Sequence, residues 1–130
     1  MTITTEPKEQ RLERYKAEKN KIRLHCLELS KFIEQREHNW QHIDLKYNQN
    51  VNDFILNGYD IRYIIDSEKG YIGSKFLTVC GSKTIWINTL YKEVKGYYKQ
   101  HEVIFYYDVD NLGLDAALKN KFINSYNFNL

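Results

Sequence analysis

The sequence predicts an α+β fold with a long N-terminal helix, a four-stranded antiparallel meander and a C-terminal helix. Two observations carry this prediction. Residues 8–57 contain neither proline nor glycine, whereas after Gly58 apolar residues alternate with a period of two between short glycine-containing turns. Because 130 residues is a usual length for one domain, we expect residues 1–130 to form a single α+β domain.

The first helix has a clear start. Thr5 can cap it, because its hydroxyl accepts a free backbone N–H, and Pro7 suits the first turn because it has no N–H to leave unpaired. At ~1.5 Å per residue, residues 12–43 would extend ~46 Å as one straight helix, which is longer than a domain of this size is wide. We therefore expect a break near residues 48–52, and a helical arm over residues 6–46 that projects in part.

Apolar residues recur along this helix at alternating spacings of three and four, and this stripe has two interpretations. Either the helix packs on the sheet of its own domain, or the stripe is a coiled-coil seam that joins two copies into a homodimer. In the second case the oligomer interface consists of Leu12, Tyr15, Ile22, Cys26, Leu29 and Ile33.

Residues 51–58 also have two interpretations. Asn57-Gly58 between apolar segments is typical of a two-residue hairpin. Alternatively, Val51 and Phe54 continue the helical face, and Gly58 takes up a left-handed conformation after the last turn. We expect the helix.

The predicted strands are 59–66, 74–80, 83–91 and 101–109. The turns between them, among them Lys95-Gly96, are too short for crossover helices, so consecutive strands should pair antiparallel. The C-terminal helix then covers about residues 114–126, with Asp110 or Asn111 near its cap.

The net charge of +2 is distributed unevenly. Residues 8–23 carry seven basic and three acidic side chains, and residues 69–101 carry six lysines against one glutamate, interleaved with aromatic residues. Lysines neutralise phosphates and aromatic rings stack on bases, so this composition indicates a nucleic-acid interface, although lysines also protect sheet edges. The expected contacts are Lys83, Trp86, Lys92, Lys95, Tyr97 and Lys99, with Arg11, Arg14 and Lys21 on the arm.

Catalytic and metal-binding motifs are scarce. Asp108 and Asp110 at a strand end could hold Mg²⁺, so a small metal-dependent nuclease is one alternative function. His38 and His42 have helical i,i+4 spacing but lack the HExxH order, and we expect no metal, no cofactor and no small-molecule substrate. Two isolated cysteines cannot form a disulfide framework.

The favoured hypothesis is a non-enzymatic protein that binds nucleic acid or a nucleoprotein enzyme. Small size and an excess of residues with A/T-rich codons suit a phage or mobile-element inhibitor of a host nuclease, for example an anti-CRISPR protein. The other alternative is a homo-oligomeric structural protein joined through the N-terminal helix. The longest apolar segment, 103–107, is far shorter than the ~20 residues of a membrane span. We therefore expect a cytoplasmic protein without membrane contact.

Overall fold

The computed structural model describes residues 7–41, 49–110 and 112–126. Its elements in chain order are α1 (Lys8–Gln41), α2 (Gln49–Leu56), β1 (Asp60–Asp66), β2 (Gly70–Val79), β3 (Lys83–Asn88), β4 (Glu93–Tyr98), β5 (His101–Tyr106) and α3 (Leu112–Tyr126). The strands form one antiparallel sheet in the order β1-β2-β3-β4-β5. The predicted α+β class is confirmed, but the sheet has five strands and not four.

The prediction missed β4, in part because it extended the third strand to residue 91. Oδ1 of Asn88 accepts hydrogen bonds from the backbone N–H groups of Leu90 (3.0 Å) and Tyr91 (3.1 Å). An asparagine side chain that bonds the backbone two and three residues later favours a turn. β3 therefore ends at Asn88, and the chain returns at once as β4.

Gly96 lies within β4, although the sequence predicts a turn at Lys95-Gly96. A Cβ atom at this position would lie 2.5 Å from Sγ of Cys26 and 2.9 Å from Cγ1 of Ile22. Because glycine has no side chain, α1 can approach the sheet closely at this position. Gly96 does not serve to form a turn. A glycine inside a strand pattern indicates close backbone approach as well as a turn, and only the first meaning applies here.

The helices cover one face of the sheet. α1 lies against Gly96, Phe54 of α2 contacts Phe76 of β2 with ring centroids 5.6 Å apart, and Phe122 of α3 contacts Tyr63 of β1 at 5.1 Å. The buried strand residues of this layer include Phe76, Ile85, Ile87 and Val94. On the opposite face the described residues provide no covering helix. None of the helices in the described ranges has both the length and the apolar character needed to cross a membrane.

The apolar stripe of α1 packs on the protein's own sheet, as in the first of its two interpretations. Three of the six predicted interface positions have an exposed fraction of 0–1%: Ile22, Cys26 and Ile33. Tyr15 and Leu29 are partly buried against the same core. The three buried side chains are fully occupied by intramolecular contacts, so they are not accessible to a second copy. Leu12, at 49% exposure, remains accessible.

The N-terminal part of α1 extends past the sheet. Residues 8–14 are all exposed, and the first packing contact is made by Tyr15, whose ring centroid lies 5.6 Å from that of Tyr98. The exposed part is therefore about two turns, or ~10 Å, long. From Tyr15 onward α1 packs against β4, β5 and α3, and residues 42–46 of the predicted arm lie outside the described residues.

The structure confirms the helical interpretation of residues 51–58. α2 ends at Leu56, and the N–H groups of Asn57 and Gly58 donate to the carbonyl groups of Asp53 and Ile55. Gly58 is not left-handed, contrary to the prediction. Its role is again close approach, because a Cβ there would lie 2.0 Å from Cε2 of Phe76. Residues 49–52 are helical, and α2 begins at Gln49 as a helix separate from α1, which ends at Gln41. The rest of the region near the predicted break, residues 42–48, lies outside the described residues.

The start of α3 is held by a side chain from α1. The N–H groups of Gly113 and Leu114 donate to Oε1 of Glu37 at 2.5 and 3.3 Å. Of the two predicted caps, Asp110 is exposed and Asn111 lies outside the described residues. The sequence pattern missed this contact because it joins residues 76 positions apart. The contact fixes α3 to the helical layer.

Candidate binding site on the open sheet face

The side of the sheet that no described helix covers presents a mixed aromatic and charged surface, which we call the open face. Side chains alternate across a strand, so the neighbours of the buried positions Ile85, Ile87 and Val94 point to this side. The described open face includes Asp60, Arg62, Lys75, Leu77, Trp86, Asn88, Glu93, Lys95, Tyr97, Glu102, Ile104 and Tyr106. Trp86 lies on β3, the central strand.

A shallow cavity of about 190 Å³ lies on the open face. Its lining residues are Lys75, Trp86, Asn88, Tyr91, Glu93, Lys95 and Tyr97. In the antiparallel register Trp86 pairs with Lys95 and Asn88 pairs with Glu93, so these four side chains form a compact square on neighbouring strands. Asn88 and Glu93 are buried, at 5% and 9% exposure, whereas Tyr91 at the rim is 65% exposed.

Two cations lie over the indole ring of Trp86. Cζ of Arg62 is 5.1 Å from the ring centroid and Nζ of Lys75 is 5.7 Å from it. At these distances a cation is attracted by the ring quadrupole, which orders both the aromatic ring and the basic side chains. Arg62 also pairs with Asp60 at 3.3 Å. Lys75 forms no ion pair with another described residue, so its positive charge remains available to a ligand.

Lys95 is surrounded by polar and acidic groups. Its Nζ lies 3.8 Å from Oε1 of Glu93 and 3.6 Å from Oε1 of Glu102. Partial burial acts to lower the pKa of Lys95, but Tyr97 and the two carboxylates outweigh this effect and raise the pKa above its ordinary value. Lys95 is therefore a protonated hydrogen-bond donor at the edge of the cavity.

The structure brings together three of the six predicted central contacts, Trp86, Lys95 and Tyr97, on the open face. The other three lie elsewhere. Lys83 points to the helical side, where it pairs with Glu18, and Lys92 pairs with Asp110 at 3.4 Å.

Lys99, the last of the predicted lysines, lies in the turn between β4 and β5 with its Nζ 5.5 Å from the ring centroid of Tyr15. Arg11, Arg14 and Lys21 are exposed on α1, and Lys21 pairs with Glu18 at 3.1 Å. The predicted arm residues are therefore on the helical layer, separate from the cavity.

The predicted set lacked five residues of this site. Arg62 lies over the ring of Trp86, and the other four line the cavity: Lys75, Asn88, Tyr91 and Glu93. The alternation within a strand places Glu93 with Lys95 and Asn88 with Trp86, so the sequence carried a signal for these two positions. Arg62 and Lys75 could be placed beside Trp86 only with the register of three strands, which the sequence does not provide.

The predicted acidic pair does not form a cluster of metal ligands. Asp110 pairs with Lys92, and the backbone N–H of Asp108 donates to Oε2 of Glu34 at 2.7 Å. In the described part of the chain no three His, Cys, Asp or Glu side chains come together as a metal site. His42 lies outside the described residues.

The arrangement on the open face combines flat aromatic surfaces with hydrogen-bonding groups at their edge. Trp86 and Tyr97 can stack on a planar ligand. Lys75, Glu93 and Lys95 can bond the rim of that ligand, and the two lysines can also bond a phosphate next to it. No protein-family model, curated protein sequence or solved structure matched this chain.

Proposed function

We propose that this protein is a non-enzymatic binding protein that holds single-stranded nucleic acid on its open face. One observation carries the proposal: Trp86 lies on the central strand, on the sheet face that no described helix covers, with Arg62 and Lys75 over its ring and Tyr97 beside the same cavity. Base stacking on an aromatic side chain contributes about 1–3 kcal/mol per base and is available to a strand whose bases are unpaired.

The cations support the same ligand. Lys75 has no ion-pair partner among the described residues, and Arg62 is held beside the stacking surface at 5.1 Å from the Trp86 ring. A base on Trp86 would bring its adjoining phosphate close to these two groups. An intact duplex is a poorer ligand, because its bases are already stacked on one another. In addition, the face of a sheet can insert only single side chains into the grooves of a duplex.

A nucleoprotein complex that exposes such a strand would be bound in the same way. The proposed role as a phage or mobile-element inhibitor rests on composition alone and stays a prediction.

The test is fluorescence anisotropy with labelled single-stranded RNA and DNA of mixed sequence at 50 mM salt. Trp86→Ala should weaken binding about 5- to 150-fold, which corresponds to the loss of about 1–3 kcal/mol of stacking. Tyr106→Ala is the matched control, because Tyr106 is an aromatic residue on the same face, 68% exposed, that does not line the cavity. Absence of binding by the wild-type protein, or equal binding by Trp86→Ala, would refute the proposal.

A further inference from the structure

We infer that the cavity beside Trp86 is a base-recognition site that selects guanine. This inference rests on the proposed function and deepens it by naming the base. It is carried by the donors and acceptors that line the cavity, which are fixed by the strand register and by the hydrogen bonds of Asn88.

The cavity has one strong acceptor. Glu93 is 9% exposed, and among its described contacts the carboxylate has Lys95 on one side, at 3.8 Å from its Oε1. A buried carboxylate loses its hydration, and a ligand that leaves one of its oxygens unpaired is disfavoured. The favoured base therefore donates two adjacent hydrogen bonds to Glu93.

Apart from the hydroxyl groups of Tyr91 and Tyr97, which can donate or accept, the remaining polar side chains of the cavity offer donors. Oδ1 of Asn88 already accepts the backbone N–H groups of Leu90 and Tyr91, so the part of its amide left for a ligand is the NH₂ group. Lys75 and Lys95 are ammonium donors. A base bound here must therefore present an acceptor next to its donors.

Guanine meets this pattern better than the other bases. Its Watson–Crick edge carries the O6 acceptor followed by the N1–H and N2–H₂ donors, which matches a lysine or amide donor followed by both oxygens of a carboxylate. Adenine, cytosine and uracil each offer the carboxylate one donor group on this edge, flanked by an acceptor that would face the second oxygen. As a purine, guanine also offers a larger surface for stacking on Trp86 than cytosine or uracil does.

The size of the preference follows from the bidentate contact. A well-formed bidentate pair between a side chain and a base contributes about 1–3 kcal/mol of discrimination, which is a factor of about 5 to 150 in Kd. Tyr91, 65% exposed at the rim, would cover the outer face of the bound base without changing this selectivity.

The first experiment is calorimetric titration of the full chain with GMP, IMP, AMP, CMP and UMP. We expect GMP to bind about 5- to 150-fold more tightly than AMP, CMP or UMP. IMP, which lacks only the 2-amino group, should bind more weakly than GMP because one oxygen of Glu93 loses its donor. Equal affinity for GMP and IMP, or preference for another base, would overturn the inference.

Variants identify the residue that is responsible. Glu93→Gln should remove the preference for GMP over AMP. Glu102→Gln is the matched control, since Glu102 also lies next to Lys95, at 3.6 Å, but does not line the cavity. Circular dichroism establishes that both variants are folded. A guanine preference that survives in folded Glu93→Gln would contradict the assignment.

A third experiment separates this inference from the proposed function. U-rich pentamers with a central G or a central A are compared by anisotropy. If both bind equally and Trp86→Ala abolishes both, the guanine site is wrong and the proposed function stands. If neither pentamer binds but GMP binds through Glu93, the guanine site stands and the proposed nucleic-acid function is wrong.

Discussion

Glu37→Gln should stabilise the protein above pH 7 and change little at pH 5. Glu37 has an exposed fraction of 0% and accepts the backbone N–H groups of Gly113 and Leu114 at the start of α3. Burial raises the pKa of Glu37 to about 7, because it outweighs these two hydrogen bonds, and the nearby charge of Asp115 acts in the same direction as burial.

The sign and the size follow from this pKa. A carboxyl group whose pKa is higher in the folded state than the ordinary 4.5 binds its proton more tightly when the protein is folded. Its stabilising contribution is therefore complete below about pH 4.5 and is lost as the pH rises through about 7. At about 1.4 kcal/mol for each unit of pKa, the loss is about 3 kcal/mol. Glutamine keeps an oxygen for Gly113 but cannot ionise.

The assay is urea unfolding of the wild type and Glu37→Gln between pH 5 and pH 8.5. The free energy of unfolding of the variant relative to the wild type should increase by about 2.5 kcal/mol across this range, since part of the full difference is already lost below pH 5. All other ionisable groups are present in both proteins, so their contributions largely cancel in the difference. Glu34→Gln is the control, since Glu34 also accepts a backbone N–H, from Asp108, but is only partly buried.

If the difference in the free energy of unfolding between Glu37→Gln and the wild type does not depend on pH, this account of Glu37 is refuted. A wild type that becomes the more stable protein above pH 7 would refute it more strongly, because the contacts of the ionised carboxylate with α3 would then outweigh its burial.

Two further predictions concern packing and assembly. Gly96→Ala should lower the free energy of unfolding by about 1–3 kcal/mol in urea, because the new methyl group would lie 2.5 Å from Sγ of Cys26; an effect no larger than that of Gln100→Ala in the exposed turn would contradict the close packing. If α1 pairs between copies, Leu12→Asp should dissociate the dimer in light scattering while changing stability by no more than about 0.5 kcal/mol, since Leu12 is 49% exposed. Ile22→Asp, at a position 1% exposed, should instead unfold the protein, so loss of a dimer in a folded Ile22→Asp variant would refute the placement of this stripe in the core.

Local sequence signals predicted most of the fold. The change from helical to alternating periodicity after Gly58 is a local property, and the class and the helix over 49–56 followed from it. β4 was missed because Gly96 has two physical meanings, a bend or a close approach, and choosing between them requires knowing that α1 lies above it. The same ambiguity explains the incorrect conformation predicted for Gly58, which makes room for Phe76.

The site was predicted less well than the fold, because a count of charged residues along the chain does not show on which face of the sheet each charged side chain lies. Lys83 shares its side of β3 with Ile85 and so belongs to the helical layer, a conclusion that alternation alone could have given. The position of Lys75 beside Trp86 depends on the register of β2 on β3, which shifts between Leu77 and Val79. This bulge lies between the turn that joins β2 to β3 and the pair Leu77–Trp86, so it shifts the pairing of Lys75 as counted from that turn, and it has no reliable local signal.

The placement of the basic residues predicts how binding will respond to salt. If the seven predicted lysines and arginines all contacted phosphates, a slope of about −0.7 per contact would reduce affinity about 10³-fold between 50 and 200 mM salt. On the open face two cations adjoin Trp86, Arg62 and Lys75, and two contacts give a reduction of about sevenfold.

Binding through the open face should therefore be driven mainly by stacking and should persist at moderate salt. The measurement is the anisotropy titration repeated at 50 and 200 mM salt with the wild type and with Lys75→Gln. This substitution should lower the slope of log affinity against log salt concentration by the share of one phosphate contact. A hundredfold or larger loss of affinity in the wild type would mean that residues beyond the open face contact the phosphates. The exposed positions Arg11 and Arg14 on α1 would then be the first to test.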